Sequence, residues 1–242
     1  FKKAMHKEVE KFFFPATQLK ELLLVIEKIT AAGEMKKGEE MQGVEALADL
    51  TELIFTLNKH FGWSKQLQAT VDKNIKDTCK NMSSLPQLRD FLVAFNKNQN
   101  HYLYAHSALL AYVASAIATD MKQKALVKEL TEAALIHDIA LNEAVAEDLN
   151  NLMVMVREKR KKPNAKVQLV IDHPELAAHV AMSWESAGEK VAEIVMQHHE
   201  RPNGEGFPFG LKSKDMDLAS SLFIIAEDLV DLVFKSHNPN FS

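Results

Sequence analysis

Apolar residues recur three and four positions apart along most of this chain, which is the spacing of one face of an α-helix. Glycine interrupts helices, and it occurs only 8 times in 242 residues. No segment shows convincing alternation of apolar and polar residues, as a half-buried strand would. The pattern therefore predicts an all-α fold. In the N-terminal part it predicts helices over 16–31, 39–60 and 65–80.

A polar stretch at 96–100 (NKNQN) predicts a domain boundary. It separates an N-terminal helical regulatory or packing region, residues 1–97, from a second domain, residues 98–242. The second domain is predicted to have helices over about 103–119, 126–139, 143–158, 187–199 and 220–234, and a further helix that begins at His173-Pro174. The basic run 157–162 (REKRKK) is predicted to be a loop, either a solvated surface segment or a mobile lid over an anionic ligand.

Composition narrows the class of partner. The chain has 29 basic and 33 acidic residues, so its net charge of -4 gives no overall field that would attract a nucleic-acid polymer. The apolar run 22–26 (LLLVI) is far too short to span a membrane. Cys79 is the only cysteine, which rules out an internal disulfide and favours a reducing compartment such as the cytoplasm. Because the chain opens on Phe1, we expect further sequence upstream of it.

Candidate metal ligands gather in the second domain, at helix ends or on apolar helix faces. They are His106, His137, Asp138, His173, His198, His199 and Asp228. Taken singly, a histidine on an apolar face is more often a satisfied core residue, and the aspartate at 228 is explained equally well as a solvent-facing acid. Together they indicate a two-metal site, because a buried carboxylate costs several kcal/mol unless it is paired or bound to metal.

The chemistry and spacing of these side chains suit two divalent ions. Imidazole and carboxylate ligands suit iron, manganese, nickel or zinc. Asp138 directly follows His137, so one residue can bind one ion while the other bridges both. His198 and His199 point about 100° apart on a helix and converge only where that helix ends. The following RPNGEG turn predicts such an end.

Three segments, LTEAALIHDIA, HHERPNGEGFPFGLKSKDMDL and IAEDLVDLV, resemble the HD-GYP family, a branch of the HD superfamily of metal-dependent phosphohydrolases. The resemblance covers about residues 100–235 in the family's order. It implies an all-α HD-domain bundle and a centre of two or three metal ions, with iron expected first and manganese, nickel or zinc as alternatives. It also implies hydrolysis of the bacterial messenger cyclic di-GMP in a bacterial cytoplasm.

The chain departs from the family pattern at positions that the resemblance assigns to substrate. Ala140-Leu141 stands where the family has Gly-Lys, so a cation for the substrate phosphate is absent. Phe207 replaces the tyrosine of G-Y-P and keeps a stacking ring without its hydroxyl, and Asn203 replaces an aspartate. Tyr102 stands where three-metal members have a glutamate, which predicts two ions.

Two functions of different class remain open. The first is a phosphodiesterase that hydrolyses a cyclic dinucleotide, cyclic di-GMP first, with two metal ions and a bridging water that attacks phosphorus. In it His137 and Asp138 have the catalytic role, Asp138 bridges the ions, and the substrate face consists of Arg201, Asn203 and Phe207. The second is a degenerate module that binds metal and the nucleotide and signals to a protein partner without catalysis.

Overall fold

The computed structural model describes residues 40–82, 102–142, 145, 149–157 and 164–237. Within these ranges there are eight α-helices and no β-strand, so the prediction of an all-α fold is confirmed. The helices are α1 (Glu40–Phe61), α2 (Lys65–Met82), α3 (Tyr102–Asp120), α4 (Leu126–Ile136), α5 (Leu149–Arg157), α6 (Ala165–Ser183), α7 (Gly188–Gln197) and α8 (Leu218–His237). None of these helices is both long enough and apolar enough to cross a membrane.

Most predicted helix bounds agree with the structure to within a few residues. The predicted helix 16–31, and residues 158–162 of the predicted basic loop, lie outside the described residues. The helix predicted over 126–139 ends earlier, since α4 stops at Ile136 and a turn begins at His137. All described residues belong to one compact unit, Met35–Ser242, and the boundary at 97/98 stays a prediction.

Helix α3 lies at the centre of the bundle and packs against α1, α4 and α8. Its middle is buried on all sides, as shown by the fully buried run Ala108–Ala111. Alanines along α3 let neighbouring backbones approach closely. A hydrogen bond of 2.9 Å between the hydroxyls of Ser115 and Thr131 joins α3 to α4. This packing fixes the position of α4, whose C-terminal end carries the His137-Asp138 pair.

The structure corrects the prediction that a helix begins at His173-Pro174. Helix α6 begins eight residues earlier, where the side chain of Asn164 caps it by accepting the N–H of Val167 at 2.9 Å. Pro174 therefore lies inside α6, where it lacks the N–H that would bond the carbonyl of Val170. The ring Nδ1 of His173 bonds that carbonyl at 2.7 Å instead. The histidine thus satisfies the acceptor that the proline leaves open, which lets the helix continue.

A polar cluster joins α2 to α4 and to the turn after α6. Asp72 of α2 accepts hydrogen bonds from the Trp184 indole (2.8 Å) and from the Ser186 hydroxyl. The Ser186 hydroxyl also lies 3.4 Å from a carboxylate oxygen of Glu132, which is fully buried on α4. Lys128 donates to Glu132 at 2.6 Å. Burial raises the pKa of Glu132 to about 7, and the Lys128 ammonium offsets only part of that effect.

The buried carboxyl group predicts a pH-dependent stability. Glu132 gains its proton more easily in the folded chain than in the unfolded chain, so it stabilises the fold most below about pH 4.5, and this contribution is lost as the pH rises through 7. We expect Glu132→Gln to remove this loss, which is on the order of 2–3 kcal/mol. Urea unfolding at pH 5 and pH 8 measures it. The exposed Glu189→Gln is the control, and an equal pH dependence in both variants would contradict the prediction.

Candidate metal centre

Six of the seven predicted ligands lie together in the bundle interior. His106 comes from the second turn of α3, and His173 comes from the middle of α6. The two adjacent pairs, His137-Asp138 and His198-His199, come from the C-terminal ends of α4 and α7. All six side chains are buried, with at most 6% of their surface exposed. Each adjacent pair therefore enters the site where its helix ends, as the sequence indicated.

The six residues form two groups of potential ligands, and within each group the ligand atoms lie within 4.8 Å of one another. One group is His106, His137 and Asp138, and the other is His173, His198 and His199. The Asp138 carboxylate lies between them. Its Oδ2 is 3.2 Å from Nε2 of His137, and its Oδ1 is 3.3 Å from Nε2 of His173. One carboxylate thus presents one oxygen to each group.

Three of the histidines are oriented by the carbonyl of their own helix three residues earlier. Nδ1 of His137 bonds Ala134 at 2.9 Å, and Nδ1 of His198 bonds Val195 at 2.5 Å. His173 makes the same contact with Val170. A carbonyl only accepts, so each Nδ1 carries the proton, and in the neutral ring Nε2 keeps its lone pair. These bonds fix both the tautomer and the ring direction, as partners of metal-bound histidines do.

Imidazole nitrogen atoms of the second ligand group lie where a bound cation would stabilise them. Nε2 of His173 and Nε2 of His198 are only 3.1 Å apart, so two lone pairs would face each other in the neutral rings. Among the described residues, neither ring nitrogen of His199 has a hydrogen-bond partner, although the ring is almost fully buried. Unpaired buried acceptors are costly, and a divalent metal ion would satisfy them. The donor set therefore fits a metal.

The electrostatics of the cluster favour the metal-binding protonation states of His198, His199 and Asp138. Burial, followed by the neighbouring imidazoles, holds the pKa values of His198 and His199 well below the usual range. Burial opposes ionisation of Asp138, but His137 and His173 outweigh it and hold the pKa of this carboxyl well below its ordinary value. Burial likewise lowers the pKa of His137, and the Asp138 carboxylate reverses that effect and raises it. These shifts favour neutral imidazoles at His198 and His199 and an ionised carboxylate at Asp138, whereas the raised pKa of His137 favours a proton that a bound metal ion would displace.

The structure does not bring Asp228 to this cluster, which corrects its predicted place among the ligands. Its side chain is 54% exposed and pairs with Arg201 at 3.2 Å. Residues 227 and 231 of α8 are four apart and share the inner face, whereas residue 228 is turned about 100° away. Glu227 is 6% exposed, with Oε1 3.9 Å from Nδ1 of His199. Asp231 lies 3.2 Å from Nε2 of His106.

Sequence analysis missed Glu227 because acidic residues at 227, 228 and 231 are all flanked by apolar residues. The spacing of apolar residues along α8 does identify it. Phe223, Ala226 and Val230 are buried on one face of the helix, and residue 227 lies on that same face. Burial, followed by Asp231 and Asp138, raises the pKa of Glu227 well above its usual range. A cation at this position would offset that cost.

The residues predicted to contact substrate lie in and beside the loop after α7. Arg201 is half-buried and donates to the carbonyl of Glu200 as well as to Asp228. Asn203 is exposed, and its side chain donates to Glu205 at 2.7 Å. The Phe207 ring lies 4.8 Å from the His199 ring, with the two planes inclined by 32°. Of the three, Phe207 is in direct contact with the cluster.

Leu141, which stands where the resemblance expects a lysine, is 6% exposed and belongs to an apolar cluster. The other buried members of that cluster are Val145, Leu152, Val167 and Val170. Phe207 packs against the same cluster. The side chain at 141 is therefore part of the core rather than of a polar substrate surface.

Comparison with known proteins agrees with this geometry. The HD domain family matches residues 69–239. The chain is 27% identical over 132 residues to the cyclic di-GMP phosphodiesterase PA4108 of Pseudomonas aeruginosa, a match that covers 54% of this chain and 30% of that protein. A solved structure described as Bd1817, a HDG"Y"P protein from Bdellovibrio bacteriovorus, shares its fold, with a TM-score of 0.63 and 19% identity.

The structural match covers 87% of this chain and 66% of Bd1817, so the chain spans less than a third of one relative and about two thirds of the other. The family match begins at residue 69, within α2, and runs past the end of α8. It therefore includes every residue of the two ligand groups. The chain belongs to the HD domain family, and its resemblance to the HD-GYP branch is confirmed.

Proposed function

We propose that this chain is a phosphodiesterase that hydrolyses a cyclic dinucleotide, with cyclic di-GMP as the first candidate, at a centre of two divalent metal ions. The observation that carries the proposal is the arrangement of two ligand groups on either side of one carboxylate, Asp138. The similarity to a cyclic di-GMP phosphodiesterase supports the choice of substrate. Iron is the first candidate for the metal, and manganese, nickel and zinc suit the same ligands.

The side chains of the cluster would have different roles in binding the two ions. His106 and His137 would hold one ion, His173, His198 and His199 would hold the other, and Asp138 would bridge them. Glu227 and Asp231 add negative charge from α8. Two bound ions would supply Lewis acidity to the phosphate and lower the pKa of water. The protein holds its ligands ready for both ions, since backbone carbonyls already orient three of the imidazoles.

A second function, a module that binds metal and nucleotide without catalysis, has specific support. The cation that the resemblance assigns to the substrate phosphate is replaced by Leu141, which is buried in the core. Arg201, the cation predicted to face the substrate, is paired with Asp228. Both observations concern substrate rather than metal. The two functions therefore predict the same metal content and differ in turnover.

Hydrolysis of cyclic di-GMP by the purified chain tests the proposed function. We expect hydrolysis that depends on added iron(II) or manganese under anaerobic conditions and disappears after chelation. Cyclic di-AMP serves as the comparison substrate. A chain that holds two ions and binds cyclic di-GMP without hydrolysing it would support the non-catalytic module, and a chain that neither binds nor hydrolyses it would contradict both functions.

Asp138→Asn should release both ions together, because each ion loses a shared anionic ligand while the side chain keeps its shape. We expect elemental analysis to fall from about two metals per chain to well below one. Asp215→Asn, an exposed substitution after the loop, is the control. Loss of a single ion from the Asp138 variant would show that this carboxylate does not bridge.

Adjacent residues on α8 provide a matched pair for the ligand set. Glu227→Gln should weaken metal binding by roughly 10–100-fold, because it removes a buried carboxyl group beside His199 that a bound cation would ionise. Asp228→Asn should leave the metal affinity within about twofold, because it removes only an exposed carboxylate and its pairing with Arg201. Titration with manganese, followed by elemental analysis, compares the two. The reverse order of effects would restore Asp228 to the ligand set.

A further inference from the structure

One buried carboxylate holds the loop that joins α7 to α8, here called the 200–212 loop. Glu200 is 0% exposed. Its Oε1 accepts the backbone N–H of Phe209 and its Oε2 accepts the backbone N–H of Leu211, both at 2.7 Å. Within the part of the chain that the structure describes, no basic side chain lies within ion-pair distance of it. Both carboxylate oxygens therefore bind the loop backbone.

These two hydrogen bonds hold the segment from Phe209 to Leu211, next to the backbone bridge between Asn203 and Lys212. The Phe209 ring is 63% exposed, so burial of its side chain does not anchor this segment. Hydrogen bonds to an ionised carboxylate are about twice as strong as neutral ones, and a buried carboxylate left without them would be costly. The loop and the carboxylate thus depend on each other.

The middle of the loop, around Gly206, packs closely against the residues that follow α7. A Cβ atom on Gly206 would lie 2.4 Å from the backbone nitrogen of Arg201 and from Cα of Glu200, so only glycine allows this approach. The N–H of Phe207 donates to the carbonyl of His199 at 3.2 Å. The loop therefore folds back over the second ligand group and places the Phe207 ring against His199.

We propose that Glu200 is a positioning residue, which holds the 200–212 loop in place so that Arg201 and Phe207 present a preformed face to the substrate. The proposal rests on the proposed function for the identity of that substrate. Among the described residues, the hydrogen bonds of the Glu200 carboxylate go to the backbone of this loop. A loop that is already ordered does not have to lose conformational freedom when a ligand binds, so its loosening weakens binding more than it slows chemistry.

Glu200→Gln tests the anchor because the amide keeps the size of the side chain. Its oxygen accepts one N–H, while its NH₂ group faces the second N–H, so one hydrogen bond is replaced by a clash of two donors. We expect amide hydrogen exchange at Phe209 and Leu211 to become roughly tenfold faster or more. The control Glu189→Gln, an exposed glutamate in the first turn of α7, should leave both rates unchanged.

Kinetics with cyclic di-GMP separate positioning from general support of the fold. In Glu200→Gln we expect the KM to rise by about tenfold with kcat within about twofold and with unchanged metal content. Unchanged exchange at the two amides would overturn the proposal. So would faster exchange with an unchanged KM. A fall in kcat together with loss of metal would also overturn it, because Glu200 would then support the ligands.

A second variant covers the case in which Glu200→Gln does not fold. Gly206→Ala leaves the carboxylate intact and forces the loop away from Arg201. The same faster exchange and raised KM would support the proposal, and exchange and KM both equal to those of the unaltered chain would overturn it.

If the unaltered chain neither binds nor hydrolyses cyclic di-GMP, the proposed function fails. The exchange rates of the two amides then decide alone whether Glu200 holds the loop.

Discussion

The site depends on one repeated interaction, in which a buried histidine gives its Nδ1 proton to a carbonyl of its own helix. His137, His173 and His198 each make this bond to the residue three positions earlier. The bond uses a carbonyl near the residue itself, so it needs no partner from another helix. It leaves every Nε2 lone pair directed inward. The bundle then has only to bring the helices together for the nitrogens to converge.

Helix ends and one proline make this interaction available. At the C-terminal ends of α4 and α7 the last carbonyls have no N–H partner within the helix, so the histidines that follow can take them. In the middle of α6 every carbonyl would normally be used. Pro174 removes one N–H and leaves the carbonyl of Val170 open for His173. The proline that would ordinarily break a helix here creates the acceptor that orients a ligand.

Much of this arrangement could be predicted from the sequence. The helices follow from the spacing of apolar residues, and the pairs at 137–138 and 198–199 follow from histidines placed where helices end. His173 was recognised as a ligand candidate, yet its proline indicated a helix start, because a mid-helix proline is tolerated only when its lost bond is replaced. That replacement is a side-chain contact, which no local pattern shows.

The choice between Asp228 and its neighbours could not be made locally either. The helix period allows either residue 227 or residue 228 to face the core, and the decision depends on how α8 is rotated against α3 and α7. The rotation that buries Phe223 and Val230 also buries Glu227. Asp228 is then left at the surface, where it pairs with Arg201. Tertiary packing, rather than the acidity of the residue, selects which carboxylate reaches the cluster.

The two departures from the HD-GYP pattern that concern substrate are structurally linked. Leu141 stands in place of the expected lysine and Phe207 in place of the tyrosine, and both side chains contribute to one apolar cluster beside His199. A lysine at 141 would be buried against aliphatic side chains, so its charge would be costly unless the cluster opened. An apolar side chain at 141 in place of lysine therefore favours an apolar side chain at 207 in place of tyrosine, because the two belong to one cluster. Besides bound metal ions, positive charge for an anionic ligand is then available on the loop side of the site. Arg201 is a cation placed there, and its pairing with an exposed carboxylate is weak enough for a phosphate to displace.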